Sequence, residues 1–261
     1  MCLKRLKDNG LVEPIPLITT PREGGFKRLE VNVLTATGMA ELHRIYDAHD
    51  WSWQERSGAK VRGYAWQTLN ELKHITDIGV ALHGAALAHG LDFSDWHDTL
   101  DLQSLSKRKE MAFAGEDADD AVEPDGYCTI FDGERHFVLF IESDRDTESA
   151  TGGADNTWTD KMRRWKLYLR DRHRDDEYFP HDALPLVLTV TTTLTRLALL
   201  KKTTEAKKGK TTYWFATEDD LAYPRDALGP IWHVASLPGV HSLAEHFAVK
   251  GRLLSADRPD K

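Results

Sequence analysis

Cysteine and long apolar runs are both scarce in this sequence. Its 261 residues include 2 cysteines, Cys2 and Cys128, without a CxxC pair, which excludes a thiolate zinc cluster and a disulfide framework. No uncharged apolar stretch is long enough to span a bilayer, and the first residues lack the apolar core of a secretory signal. We therefore expect a cytoplasmic protein without a membrane partner, whose two cysteines are free thiols.

Two common kinds of enzyme motif are also missing. No GxSxG elbow occurs, and Cys128 is set in an apolar strand-like run, where a thiol is usually inert. The pair Gly152-Gly153 is not followed by the Gly-Lys-Thr of a phosphate-binding loop. A nucleophilic hydrolase and a nucleotide hydrolase therefore have little support.

Charge is strongly segregated along the chain, although its net value is -8. Residues 116–125 carry six acids and no base, whereas residues 161–174 carry seven bases and one acid. A second basic run follows at residues 201–210. Each basic run is explained either as a solvated helix face or loop, or as part of a nucleic-acid-binding surface.

The first fifty residues read as a separate small unit. Their pattern predicts a helix from about residue 2 to 9, a β-hairpin over residues 11–34 and a helix after Thr37. This order resembles the second half of a winged helix-turn-helix domain, which normally has one or two further helices before this point. We therefore expect either more chain upstream or another element that covers Leu3 and Leu6.

Residues 51–261 predict one α/β domain with a central mixed sheet. A helical stripe extends over residues 64–90, and a connection containing Trp96 follows it. The clearest strands are joined by an Asp132-Gly133 turn and should pair as an antiparallel hairpin. The remaining expected elements are a strand at 109–114, a basic helix at 156–174, a buried strand at 184–192, a short helix at 194–202 and an edge strand at 211–217.

Three acids are expected at one end of this sheet. Asp125 opens one strand of the hairpin and Glu142 lies near the end of the other, so antiparallel pairing brings them together. Asp144 lies two residues further on, on the same face as Glu142. Converging carboxylates suit Mg²⁺ or Mn²⁺, which prefer oxygen ligands. The alternative is that strand ends are simply where exposed acids occur.

His74 is the histidine of greatest interest, since the long helix carries it beside an apolar stripe. It is interpreted either as a half-buried structural residue or as a ligand or base of the acid site. Glu71, one turn earlier, is the competing candidate on that helix.

The order of several motifs resembles the replication-relaxation protein family. These motifs are PDGYCTIFDG, the segment ESDR at 142–145 and the helix TDKMRRWKLY with Lys161 and Tyr168. The resemblance extends upstream through RLKDNGLV, LTATGMAEL and LKHITDIGVALHGAALAHGL, and downstream through LPLVLTVTT, TTYWFAT and GPIWHV. It covers nearly the whole chain, and it rests on the order and spacing of the motifs rather than on any one of them.

The resemblance implies a DNA-binding protein of plasmids or other mobile elements, with a C-terminal domain similar to the PD-(D/E)xK nuclease fold. In that fold a Pro-Asp acid and a Glu two positions before a Lys bind the metal, and the Lys assists the attacking water. Here Asp144 stands at the Lys position, and Lys161 is the nearest substitute. The resemblance thus implies Asp125, Glu142, Lys161 and His74 as catalytic candidates.

Two functions of different class follow. The first is a DNA-binding accessory protein that acts on double-stranded DNA beside a relaxase or replication initiator. The second is an endonuclease that holds Mg²⁺ or Mn²⁺ with the three acids. A third reading is a protein-interaction module whose charges only keep it soluble. The candidate DNA contacts are Lys4, Arg5, Lys7, Arg28, Arg163, Arg164 and Lys166.

Overall fold

The computed structural model describes part of the chain, which divides into two compact units, residues 1–71 and 72–261. The described residues are 7–18, 28–35, 37, 40, 66–99, 101–102, 122, 124–145, 150, 157–172, 184–222 and 224–248. The domain boundary expected near residue 50 lies outside these residues and stays a prediction.

The first unit contains the predicted hairpin. Strands β1 (Val12–Ile18) and β2 (Arg28–Leu34) pair antiparallel in a two-stranded sheet of their own, so this pairing is confirmed. The hydroxyl of Thr35 donates to the carbonyl of Gly10 at 2.6 Å and closes the base of the hairpin. Most of the two flanking helices, with Lys4 and Arg5, lies outside the described residues, and the winged-helix assignment stays a prediction.

The second unit is built on a seven-stranded mixed sheet, which confirms the α/β class. Its strands lie side by side in chain order. The pairings from β3 to β5 and from β7 to β9 are antiparallel, and those of β5 with β6 and β6 with β7 are parallel. The strands are β3 (Asp92–Asp98), β4 (Gly126–Phe131), β5 (His136–Asp144), β6 (Leu184–Thr191), β7 (Tyr213–Thr217), β8 (Pro230–Val234) and β9 (His241–Ser242).

Helices cover both faces of this sheet, and two of them lie in the crossover connections that the two parallel pairings require. The helices are α1 (Trp66–Ala88), α2 (Trp158–Leu167), α3 (Leu194–Ala206) and α4 (Glu218–Leu221), and a π-helical turn (Tyr168–Arg172) continues α2. Side chains of α1 and of residues 243–248 pack with one set of strand side chains, such as Leu139. Those of α2 and α3 pack with the alternate set, such as Phe140. No helix among the described residues is long and apolar enough to cross a membrane.

Two sequence-based expectations about this sheet are wrong. The connection that contains Trp96 is strand β3, and its indole packs so close to α1 that a Cβ added at Gly79 would lie 2.6 Å from it. The segment expected at the sheet edge is β7, which lies between β6 and β8 and is buried throughout. The apolar content of β8 explains this position, since it supplies a further strand that pairs beside β7.

Candidate functional site

Strand register brings two of the predicted acids together at the carboxyl end of β5. Gly126 pairs with Ile141, so Asp125 comes opposite Glu142. The carboxylate of Asp125 accepts a hydrogen bond of 2.7 Å from the backbone N–H of Ser143 and thereby caps the end of the hairpin. The expectation that Asp125 and Glu142 share one end of the sheet is confirmed.

Glu142 is fully buried, and α2 supplies a donor to each of its carboxylate oxygens. The indole N–H of Trp165 donates to Oε1 at 2.6 Å, and Lys161 Nζ lies 2.5 Å from Oε2. Burial raises the pKa of Glu142 to about 7, with Lys161 opposing the rise and Asp125 adding to it. The expectation that Lys161 reaches the acid site from the next helix therefore agrees with the geometry.

Asp144 does not join the other two acids, which corrects the three-carboxylate expectation. It lies on the same face as Glu142, but Arg196 on the first turn of α3 binds both of its oxygens at 2.7 Å. The hydroxyl of Thr191 adds a third hydrogen bond at 2.9 Å. Among the residues that the structure describes, no group of three histidines, cysteines or acids is arranged to hold a metal ion.

His74 lies on the opposite face of the sheet from Glu142, which corrects its expected place in the acid site. Successive side chains of β5 alternate between faces, and α1 packs on the face of Ser143. His74 Nδ1 is hydrogen-bonded to the hydroxyl of Ser143, and Nε2 lies 3.0 Å from Glu218 Oε1. The side chain of Glu71 lies outside the described part of the chain.

A basic groove lies along α2 and the turn that follows α3. It has a volume of about 730 Å³, and its charged lining consists of six bases and one acid. The bases are Arg163, Lys166, Arg170, Lys207, Lys208 and Lys210. Lys166 Nζ donates to the backbone carbonyl of Lys207 at 2.7 Å, so the two basic runs of the sequence meet here.

Only some of the predicted DNA-contacting residues line this groove. Arg163 and Lys166 line it and Arg164 does not, while Arg163 and Arg164 each lie 3.2 Å from the carboxylate of Asp160. Lys7 lies in the first unit and is partly exposed. Lys4, Arg5 and the side chain of Arg28 lie outside the part of the chain that the structure describes. Four further lining bases lie in the basic runs of the sequence but were not among the predicted DNA contacts: Arg170, Lys207, Lys208 and Lys210.

Comparison with known proteins shows the family of this chain. The replication-relaxation family model matches residues 1–181, and the chain belongs to that family. Membership suggests a role in replication or mobilisation. No curated protein and no solved structure matches the chain. The matched part includes the acid site and α2, and it ends before the lysines of the turn after α3.

We expect Glu142→Gln to remove one pH dependence of stability. A folded pKa of about 7, against an ordinary value of 4.5, means that the folded state binds this proton more tightly than the unfolded state. The resulting stabilisation is complete below about pH 4.5 and is lost as the pH rises through about 7. Urea unfolding across this window should show a smaller decline for the variant than for the wild type, and parallel declines would contradict the assignment.

Proposed function

We propose that this protein binds double-stranded DNA through the basic groove. In this role it is an accessory factor for replication or mobilisation of a plasmid or other mobile element, and it acts beside a relaxase or replication initiator. The observation that carries the proposal is the joining of two sequence-distant basic runs into one groove with six bases and one acid.

The chemistry of the groove suits a phosphate backbone. Lysine and arginine side chains neutralise phosphates and release condensed counterions, which supplies most of the affinity in sequence-independent binding. Threonine hydroxyls are common additional phosphate contacts, and the groove contains Thr159 and Thr212. The whole chain carries -8, so this concentration of positive charge is local and defines one contact surface.

The described lining of the groove offers no stacking platform, which favours duplex over single-stranded DNA. Proteins that bind single strands present aromatic side chains on which unpaired bases stack. Tyr213 is the aromatic residue in the described groove lining, and it is only 4% exposed. Contacts made by this groove are therefore directed to the backbone, with little selection of sequence.

Replacing three groove lysines should weaken DNA binding about five-hundredfold at 0.1 M salt if each contacts a phosphate, because each contact contributes roughly 0.9 logarithmic units there. The groove triple is Lys207→Gln, Lys208→Gln and Lys210→Gln. The measurement is fluorescence anisotropy of a labelled duplex titrated with the full chain.

A matched control removes the same charge elsewhere on the second unit. The control triple is Lys73→Gln, Lys202→Gln and Arg225→Gln, all exposed bases that do not line the groove. It should bind DNA within a few-fold of the wild type. Equal losses for the two triples would reject the groove as the binding surface, and wild-type protein without affinity at low salt would select the protein-interaction alternative.

A metal-dependent endonuclease is the second candidate, and one cluster favours it. Lys161, Glu142 and Asp125 come together, which is the set that a nuclease with its lysine moved to the next helix requires. The fit to Mg²⁺ or Mn²⁺ is poor, however, because both oxygens of Glu142 face donors and Arg196 holds Asp144. These contacts favour a nuclease-like scaffold that binds DNA over one that cleaves it.

Supercoiled plasmid separates the two candidates. If the protein binds DNA without cleaving it, we expect no nicking when it is incubated with plasmid and either Mg²⁺ or Mn²⁺. Nicking that disappears in both Asp125→Asn and Glu142→Gln would establish the nuclease instead. Nicking that persists in these variants would come from a contaminant.

A further inference from the structure

Ser143, His74 and Glu218 form a linked series of side chains that neither DNA binding nor the acid site uses. The Ser143 hydroxyl is hydrogen-bonded to His74 Nδ1, and the other ring nitrogen lies 3.0 Å from Glu218 Oε1 without an aligned hydrogen bond. Catalytic hydrogen bonds are often poorly aligned in the absence of substrate. Nucleophile, base and orienting acid thus occur in the order of a hydrolytic triad, although Nδ1 faces the serine here and Nε2 faces it in the serine-protease triad.

The protonation of the imidazole follows from its neighbours. A carboxylate only accepts hydrogen bonds, and an unprotonated Nε2 at 3.0 Å would repel it, so Nε2 carries the proton. Nδ1 is then unprotonated and accepts a hydrogen bond from the hydroxyl of Ser143. A histidine that only fastened α1 to the sheet would need the contact with Ser143 alone, whereas here the second ring nitrogen also lies close to a carboxylate oxygen.

Burial more than the surrounding charges keeps this base unprotonated. Burial lowers the pKa of His74, Arg145 and Lys73 lower it further, and Glu218 and Asp77 oppose them. The ring is therefore neutral at neutral pH and able to accept a proton. Arg145 also places a positive charge near the ring, where it would favour an anionic transition state.

The position in the fold is where α/β proteins place their ligand sites. Ser143 lies near the carboxyl end of β5, and Glu218 directly follows the carboxyl end of β7. Ligands of open α/β sheets bind outside the carboxyl ends of parallel strands. Ser143 and Glu218 are not fully buried, and the carboxylate of Asp125 holds the backbone of Ser143 in place.

Although the sequence lacks a GxSxG elbow, which gave a nucleophilic hydrolase little support, the geometry points to Ser143 as an acyl-accepting nucleophile, with His74 as its general base and Glu218 as a positioning residue. Ser143 Oγ attacks the carbonyl carbon of an ester while its proton passes to His74 Nδ1. The bond from carbon to the alcohol oxygen breaks, and the departing alkoxide takes that proton. Water then attacks the acyl-serine, its proton passes through His74 to Ser143 Oγ, and the carboxylic acid leaves. This activity does not depend on DNA binding.

A fluorophosphonate probe, which modifies activated serines, tests this inference on the full chain. We expect mass spectrometry to locate the probe on Ser143, with release of fluoride, and Ser143→Ala to abolish the labelling. His74→Gln should slow it at least about tenfold, since a positioned base contributes 10²- to 10⁴-fold. Hydrolysis of p-nitrophenyl acetate should fall in the same order.

Two further variants distinguish the loss of a reactive group from misfolding of the chain. Glu218→Gln changes a partly exposed side chain, so it should leave the fold intact and slow labelling by a smaller factor than His74→Gln. Ser94→Ala removes an exposed hydroxyl on β3 and should label like the wild type. Folded wild-type protein that is not labelled at Ser143 overturns the inference. Labelling that is unchanged in both His74→Gln and Glu218→Gln overturns it as well.

Discussion

Arg196→Met should lower the free energy of unfolding by about 3–5 kcal/mol, which is the cost of breaking a buried ion pair from one side. The Arg196 and Asp144 side chains are only 6% and 3% exposed, and two hydrogen bonds of 2.7 Å join them. Without the guanidinium, the Asp144 carboxylate keeps Thr191 as its partner and has lost its counter-charge. Urea denaturation followed by circular dichroism measures the loss.

Two further variants show whether the loss of stability comes from the Asp144 carboxylate that Arg196→Met leaves without a counter-charge. Arg196→Met combined with Asp144→Leu should recover most of the stability, because a buried ion pair and an apolar replacement are often of similar stability. Arg225→Met breaks the pair with Asp220, in which the arginine side chain is 54% exposed, and should change stability by less than about 1 kcal/mol. A single variant Arg196→Met that is as stable as the wild type would contradict the structural role of the pair.

The salt dependence of DNA affinity should be steep for the wild type and shallower for the groove triple. Each neutralised phosphate contributes about -0.9 to the slope of log affinity against log salt concentration, so the loss of three contacts should reduce the slope by about 2.7. Anisotropy titrations from 50 to 200 mM salt give both slopes. An unchanged slope would mean that these lysines do not contact phosphates.

Local patterns predicted much of this fold because they depend on near neighbours. The hairpin turn at Asp132-Gly133 fixes the register of β4 and β5, and that register brings Asp125 to Glu142. The helical spacing of apolar residues predicted α1 to within two residues at each end. Strand β3 was missed because DFSDWHD carries three acids and lacks the apolar alternation of a typical strand, while its packing partner Gly79 is distant in sequence.

The parts of the site that sequence did not predict depend on contacts between distant segments. Asp144 has the spacing of a metal ligand, but Arg196, 52 residues later, decides its role. His74 and Glu218 meet only because α1 and the end of β7 reach the same sheet face. Likewise, each basic run has a simple explanation as a solvated surface, and only the packing of α2 near the turn after α3 makes them one groove.

Protection of lysines from acetylation shows whether DNA occupies the groove, because it locates bound DNA on the protein itself. The full chain is treated with acetic anhydride with and without a duplex at low salt, and mass spectrometry quantifies each lysine. We expect DNA to protect Lys207, Lys208 and Lys210 several-fold and to leave the acetylation of Lys73 and Lys202 unchanged. Protection confined to lysines outside the groove, or uniform over all of these, would contradict this expectation.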